Sequence, residues 1–426
     1  MDVNETALLD ATEILAAYAA GSLSPLQVLQ GVTERIARRN PEINAFAAMN
    51  PSALAAARES TSRWRDGQAR ALEGVPITVC DFMDVAGLPT RQGSKTTASA
   101  PARRDSPVVA VLRAAGAVLI GKTNVSEFGW SYAGDSPLHG IVRNPWNTLH
   151  TAGGPAGGAA AAAAGFFGPL HIADGAACVS AAWTGVVGLK IGTMSENQGV
   201  MARSVADVAL LSAVLKGHSQ VEPMAAGIRG LKIGLLRTPG FVAPADPAAW
   251  EAVAAARTSL QAHGVETSEI NLTLPAIDKS FLALWRLHCA RAIDAVSPSQ
   301  DSLLSPGLRA LVAQPDAWRA GAAQTVEIAR AEAKALLAAL DVDAVLCPAV
   351  PQSAPLAGEQ IPDPQAALVK DWAPWVMLFS LTDQPALTLP MGVGPDGLPM
   401  SVQIAAKPGF EDVLLRIGMS LEHGLG

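Results

Sequence analysis

"SPVVAVLRAAGAVLIGKTNVSEF", residues 106–128, decides the fold. The first half reads as a helix. Gly116 ends it, and "AVLIGK" at 117–122 follows as an apolar strand. The same helix-then-strand order recurs along the chain. A helix at 156–165 leads to "PLHIAD" at 169–174, and "SVADVALLSAVLKG" at 204–217 leads to "LKIGLLR" at 231–237. "PAAWEAVAAARTSLQAHG" at 247–264 leads to "VETSEINL" at 265–272. Alternation of this kind predicts an α/β protein whose central sheet is largely parallel, with helices on both faces.

The flanking segments fit that plan. Residues 6–39 read as two helices. The first, "ATEILAAYAAG", stops at Gly21. The second opens with Ser24 as N-cap and Pro25 at the first helical position. "EGVPITVCDFMDVAG" at 73–87 reads as a buried strand followed by turn residues, and 275–340 is mostly helical. The strand "DAVLCPAV" follows at 343–350. "QPALTLPMG" and "GLPMSVQIAA" then pair through a hairpin turn at Gly394–Gly397, and the helix "FEDVLLRIGMSLEHG" closes the chain. The Pro-rich stretch 348–366 reads as a surface loop, not a domain linker, and no repeat of 20–50 residues is present.

Composition sets further limits. Half of the 426 residues are apolar and 16% are charged, which describes a globular chain. The net charge of -7, with no basic stretch, argues against nucleic acid as a partner. The longest apolar run, Ala159 to Phe167, is far shorter than the ~20 residues of a membrane helix, and the acidic N-terminus lacks the pattern of a signal peptide. A cytoplasmic protein is the expectation. Cys80, Cys178, Cys289 and Cys347 form no CxxC pair, so no metal site is expected, and four reduced, buried thiols are. No cofactor is implied.

Six segments carry a family resemblance: "GVPITVCDFMDVAGLPTRQGS", "GAVLIGKTNVSEFGW", "RNPWNTLHTAGGPAGG", "TGVVGLK", "GVMARSVADVALL" and "QPALTLPMGVGPDGLPMSVQI". With these the chain resembles the amidase signature family over nearly its whole length. The resemblance implies one large α/β/α domain, residues 1–426, around a mixed, mostly parallel sheet. Within it the core motifs span 70–215, a variable helical region spans about 240–345, and strands and a helix fill 346–426. Family members hydrolyse amides, or pass the acyl group on, with a serine nucleophile, a second serine after a cis peptide bond, and a lysine base.

The resemblance places the lysine at Cys80, the cis serine at Pro155 and the nucleophile at Cys178. All three residues differ from the family pattern. Ala176 and Ala177 stand where glycines are usual, and Ser180 where an arginine is usual. Pro155 has no hydroxyl to relay a proton, but an X–Pro bond adopts cis at only about 0.5–1 kcal/mol, so a cis Gly154–Pro155 bond is expected. Cys80 is too short to replace a lysine and reads as a small core residue, with a disulfide to Cys178 disfavoured by distance.

Cys178 keeps two readings. One is an inert buried thiol. The other is a nucleophile whose thiolate the start of a short helix would favour. No base is identifiable for it; His171 precedes it by seven residues, and nothing in the sequence brings the two together. Gly154, Pro155, Asp174, Gly175, Ala176, Ala177 and Cys178 form the expected ligand-binding segment, with Asp174 opening the turn as an acceptor for backbone N–H groups. Lys122, Asn124 and Glu127 read as scaffold contacts, and Trp130 and Trp183 as walls of the old pocket.

The expected function is therefore a catalytically silent homologue of amidases. It would bind a small amide-like molecule or partner an active enzyme, and a homodimer would fit. The alternative is an amidase or acyl transferase with altered chemistry at Cys178.

Overall fold

The computed structural model describes residues 3–154, 156–174, 177–191, 198–218, 227–239, 245–273, 277–313, 317–359, 373–382 and 384–423. Its strands are β1 (Phe46–Met49), β2 (Pro76–Cys80), β3 (Val118–Thr123), β4 (Asp135–Ser136), β5 (Gly140–Ile141), β6 (Leu170–Asp174), β7 (Val187–Ile191), β8 (Gln198–Ala202), β9 (Lys232–Pro239), β10 (Glu266–Leu272), β11 (Ala344–Pro348), β12 (Ala386–Val393) and β13 (Pro399–Ala406). Eleven of them form one sheet in the order β1-β3-β2-β6-β8-β7-β12-β13-β11-β9-β10, and β4 pairs with β5 apart from it.

The sheet is mixed, as expected, and its parallel part lies in two blocks. Strands β3, β2 and β6 run parallel at one end, and β11, β9 and β10 at the other. Helical crossovers make these blocks. Pro107–Ala114 joins β2 to β3, Gly157–Ala164 lies between β3 and β6, and Pro247–Ala262 joins β9 to β10. From β6 through β8, β7, β12 and β13 to β11 the ladders are antiparallel, as is β1 with β3. Short connections explain part of this, because a tight turn can only reverse the chain. The Gly394–Gly397 turn between β12 and β13 carries two backbone bonds, Gly394 N to Leu398 O (2.8 Å) and Gly397 N to Gly394 O (3.0 Å), with Gly397 at φ +77°.

Local chemistry sets the helix ends. Ser24 Oγ accepts from Gln27 N at 3.4 Å, and Gln27 Oε1 accepts from Ser24 N at 2.9 Å, which closes a capping box ahead of Pro25–Ile43. That helix runs four residues beyond the expected end at residue 39 and ends on Asn44 in a left-handed cap at φ 59°. One large apolar cluster includes Ile77, Leu119, Val200 and Leu389; a second holds Trp183, Leu236, Phe281 and Trp375. Trp250 and Trp375 meet edge to face at 5.6 Å, a geometry the ring quadrupoles favour. Among the described residues, no helix is long and apolar enough to cross a membrane.

Candidate functional site

Cys80 is the last residue of β2, whose five side chains are all buried. It sits beside Thr123 in the β2–β3 register. The next residue, Asp81, is the buried partner of Lys122: Nζ lies 2.7 Å from Asp81 Oδ1, with side-chain exposures of 0% and 2%. Lys122 Nζ also donates to Thr90 Oγ1 at 2.7 Å and to the Pro89 carbonyl at 3.0 Å. A lysine therefore does stand one strand from Cys80, but its ammonium is committed to a carboxylate. Asp81, Thr90 and the Pro89 carbonyl together engage all three of its N–H donors.

The glycine turn is held by backbone fit. Thr151 Oγ1 donates to the Ala133 carbonyl (2.6 Å) and accepts from Gly153 N (3.0 Å), and Gly154 N donates to the Tyr132 carbonyl (3.0 Å). Gly153 has φ +82°, and a Cβ there would run into the Trp183 ring. A Cβ on Gly154 would strike the Ser131 carbonyl and Ser126 Oγ; that hydroxyl donates to the Ser131 carbonyl at 2.5 Å. Glycine is required at both places by contact, and at Gly153 also by conformation. Pro155, with its expected cis bond, lies outside the described residues, as do Gly175 and Ala176. Asp174 ends β6, with its backbone paired to Gln198.

The helix Ala177–Thr184 follows, and all eight of its side chains are buried. Ala177 and Ala181 press on Gly188 of β7, where a Cβ would come within 2.8 Å of Ala181 Cβ. Ser180 and Trp183 face the glycine turn: the Ser180 Cα lies 3.6 Å from where a Gly153 Cβ would be. Cys178 stands two positions before Ser180, about 200° around the helix. Its thiol neighbours are Thr388, Lys190 and Gln403, on the strands below. In the sheet register Thr388 pairs with Gly188 and with Gln403, and Gln403 pairs with Cys347, so these residues form one row across β7, β12, β13 and β11. Cys178 is thus turned toward the sheet, away from Gly153.

Burial raises the Cys178 thiol above its ordinary pKa, and Thr388, Lys190 and Gln403 only partly oppose this. The thiolate expected from the helix start is outweighed, because removing a charge from water costs more than one short helix end returns. Cys178 is 1% exposed. His171 does not approach it as a base. Its Nδ1 bonds Thr78 Oγ1 at 2.7 Å and its Nε2 bonds the Gly168 carbonyl at 3.0 Å, while burial holds the imidazole neutral with a pKa lowered to about 3. None of the four cysteines forms a disulfide, and all are buried.

The other singled-out residues join elements together. Glu127 is fully buried and accepts from Ser94 Oγ and from Ser305 N, both at 2.7 Å, which ties the core loop to the helical region. Asn124 N donates to the Ala45 carbonyl at 2.8 Å. Trp130 packs where Gly307 leaves room for its ring, and Trp183 Nε1 donates to the Gln352 carbonyl at 3.0 Å. Sequence reading missed Asp81, Thr90, Thr388 and Gln403. For Asp81, Thr388 and Gln403 the signal was present, since each is a polar residue within or beside an apolar strand run; Thr90 lies in the loop after β2. Among the described residues, no group of His, Cys, Asp and Glu is arranged to hold a metal.

Comparison with known proteins gives a consistent answer. The family model described as Amidase matches residues 27–415. A glutamyl-tRNA(Gln) amidotransferase subunit from Chloroflexus aggregans is 30% identical, over 94% of this chain and 93% of that protein. The protein of the same name from Mycolicibacterium paratuberculosis is 30% identical over 100% and 99%. Among solved structures, 6-aminohexanoate cyclic dimer hydrolase complexed with substrate superposes with a TM-score of 0.85 at 25% identity, covering 100% of this chain and 98% of that one. A protein described as part of an unexpected vestigial protein complex, bearing on the origins of an s-triazine catabolic enzyme, superposes at 0.82 with 28% identity, covering 98% of both chains. With the mixed sheet, the glycine turn and the buried helix after it in place, the chain belongs to the amidase family.

Proposed function

We propose that this chain is a catalytically silent member of the amidase family that acts by binding, as a subunit beside an active protein or by holding a small amide-like molecule. One observation carries the reading. Of the three positions where the family keeps its reacting groups, two hold residues without a suitable base or hydroxyl, and the third, Cys178, is buried, turned to the sheet and shifted away from thiolate. The subunit form is supported by relatives that carry the word subunit in their names, and by a structural neighbour described as part of a vestigial complex. We take residues 1–426 as one domain, since one sheet draws strands from both ends of the chain.

The test is direct. The purified chain is treated with a fluorophosphonate and with a panel of primary and aryl amides, beside Cys178→Ala. The expected result is no serine adduct by intact mass and background ammonia or amine release from both proteins. A stoichiometric serine adduct, or turnover above background, overturns the reading. The alternative, thiol chemistry at Cys178, has one feature in its favour: the Lys190 charge nearby offsets part of the upward shift that burial gives the thiol. It requires that iodoacetamide modify Cys178 within minutes at neutral pH and that Cys178→Ala abolish any activity found. The burial at this position leads us to expect slow modification.

A further inference from the structure

A cavity of about 550 Å³ opens where loop residues 84–102 meet the end of the helix Ile277–Asp294 and the residues after it. Its polar side holds Asp84, Thr90, Gln92 and Thr96, and its apolar side includes Phe128 and Ala295. The rim is built from unusual backbone. Gln92 and Phe128 both have φ 49°, a left-handed conformation that favours glycine, and Phe128 N donates to the Gln92 carbonyl at 2.9 Å. Each residue fixes the other.

The charges are arranged in a chain. Lys122 is neutralised by Asp81 at 2.7 Å and donates to Thr90 Oγ1 at 2.7 Å. The Thr90 hydroxyl donates its proton to Asp84 Oδ1 at 2.6 Å, a carboxylate oxygen that can only accept. Asp84 Oδ2 accepts no hydrogen bond from the described residues, and the Gln92 carboxamide makes none to them either. Asp84 is the one charged residue among those lining the cavity, and its charge is not cancelled by Lys122, which Asp81 has already paired. An ammonium brings three donors and a positive charge, which is what a carboxylate oxygen and an amide oxygen can satisfy together.

We propose that this cavity binds a small organic cation, a primary ammonium carried on an apolar group, with the ammonium on Asp84 and Gln92 and the apolar group against Phe128 and Ala295. The site is separate from Cys178 and does not depend on whether the chain is silent.

Titration calorimetry of the full chain tests this with benzylamine, benzyl alcohol and benzoate as probes. Asp84 is exposed, so benzylamine is expected to bind about threefold more tightly than benzyl alcohol, the contribution of one exposed ion pair, and benzoate more weakly than either. Asp84→Asn should remove that threefold preference. Ala295→Trp, at an exposed position, should fill the cavity and weaken benzylamine whatever Asp84→Asn does to folding. Equal binding of the alcohol, tighter binding of benzoate, no binding of benzylamine, or benzylamine affinity unchanged in Ala295→Trp overturns the proposal.

Discussion

Asp81→Asn removes one charge and almost no volume from the most deeply buried ion pair described here. Lys122 and Asp81 show side-chain exposures of 0% and 2%, so water cannot replace the lost carboxylate. Leaving one member of a buried pair uncompensated costs about 3–5 kcal/mol. The lower end suits an amide, because the Asn carbonyl can still accept from Lys122 Nζ. Unfolding entropy of about 2.1 cal/mol/K per residue, over 426 residues, gives about 0.9 kcal/mol per degree, so the midpoint should fall by about 3–6 °C. The double variant Asp81→Asn with Lys122→Met removes both charges and should recover most of the loss, since a buried pair replaced by neutral groups is often nearly neutral in stability. Tm by differential scanning fluorimetry, at low and high salt, measures all three proteins. A buried pair should respond little to salt. A shift under 1 °C in the single variant, or a double variant no more stable than the single, refutes the assignment.

Three further outcomes are expected. Gly153→Ala should destabilise by about 2–4 kcal/mol, combining a left-handed alanine with a clash on the Trp183 ring, and should alter near-ultraviolet circular dichroism through that tryptophan. The buried His171, with its folded pKa lowered to about 3, stays neutral where the unfolded chain takes up a proton, so its contribution is complete above about pH 6.5 and is lost as pH falls toward 3, at up to about 1.4 kcal/mol per unit. Asp207, raised to about 6 by burial, acts in the opposite sense, losing stability as pH rises from about 4 through 6. Urea midpoints for wild type and His171→Gln at pH 7, 5 and 4 separate the two, because Asp207 is common to both proteins; equal slopes would count against the His171 assignment.

Much of the fold was legible because its signals are local. Ser24 and Pro25 start a helix by chemistry within three residues, and Gly394–Gly397 turns the chain within four. Strand β1, "FAAM", was not legible: four residues with two alanines carry no β signature, and pairing with β3 alone makes it a strand. The antiparallel centre was hidden for a related reason, since β7 meets β12 across nearly two hundred residues of sequence and no periodicity records that meeting. At the site, the identities of residues 80, 155 and 178 could be read as letters. Which face of Ala177–Thr184 meets the sheet could not, because Gly188 and Gly153 on opposite sides of that helix decide it. The engagement of His171 by Thr78, 93 positions earlier, was equally out of reach.

The hairpin of β12 and β13 enters the sheet between β7 and β11, although it is made of residues 386–406 of the chain. A ribosome therefore delivers the keystone after every other strand of the sheet. Until it arrives, the earlier strands must exist as two separate halves, each with a raw edge ready to pair with the wrong neighbour. Any stop codon ahead of residue 386 should yield not a smaller working domain but material that aggregates or is degraded, and closure of the native sheet must wait until Ala406 has been added.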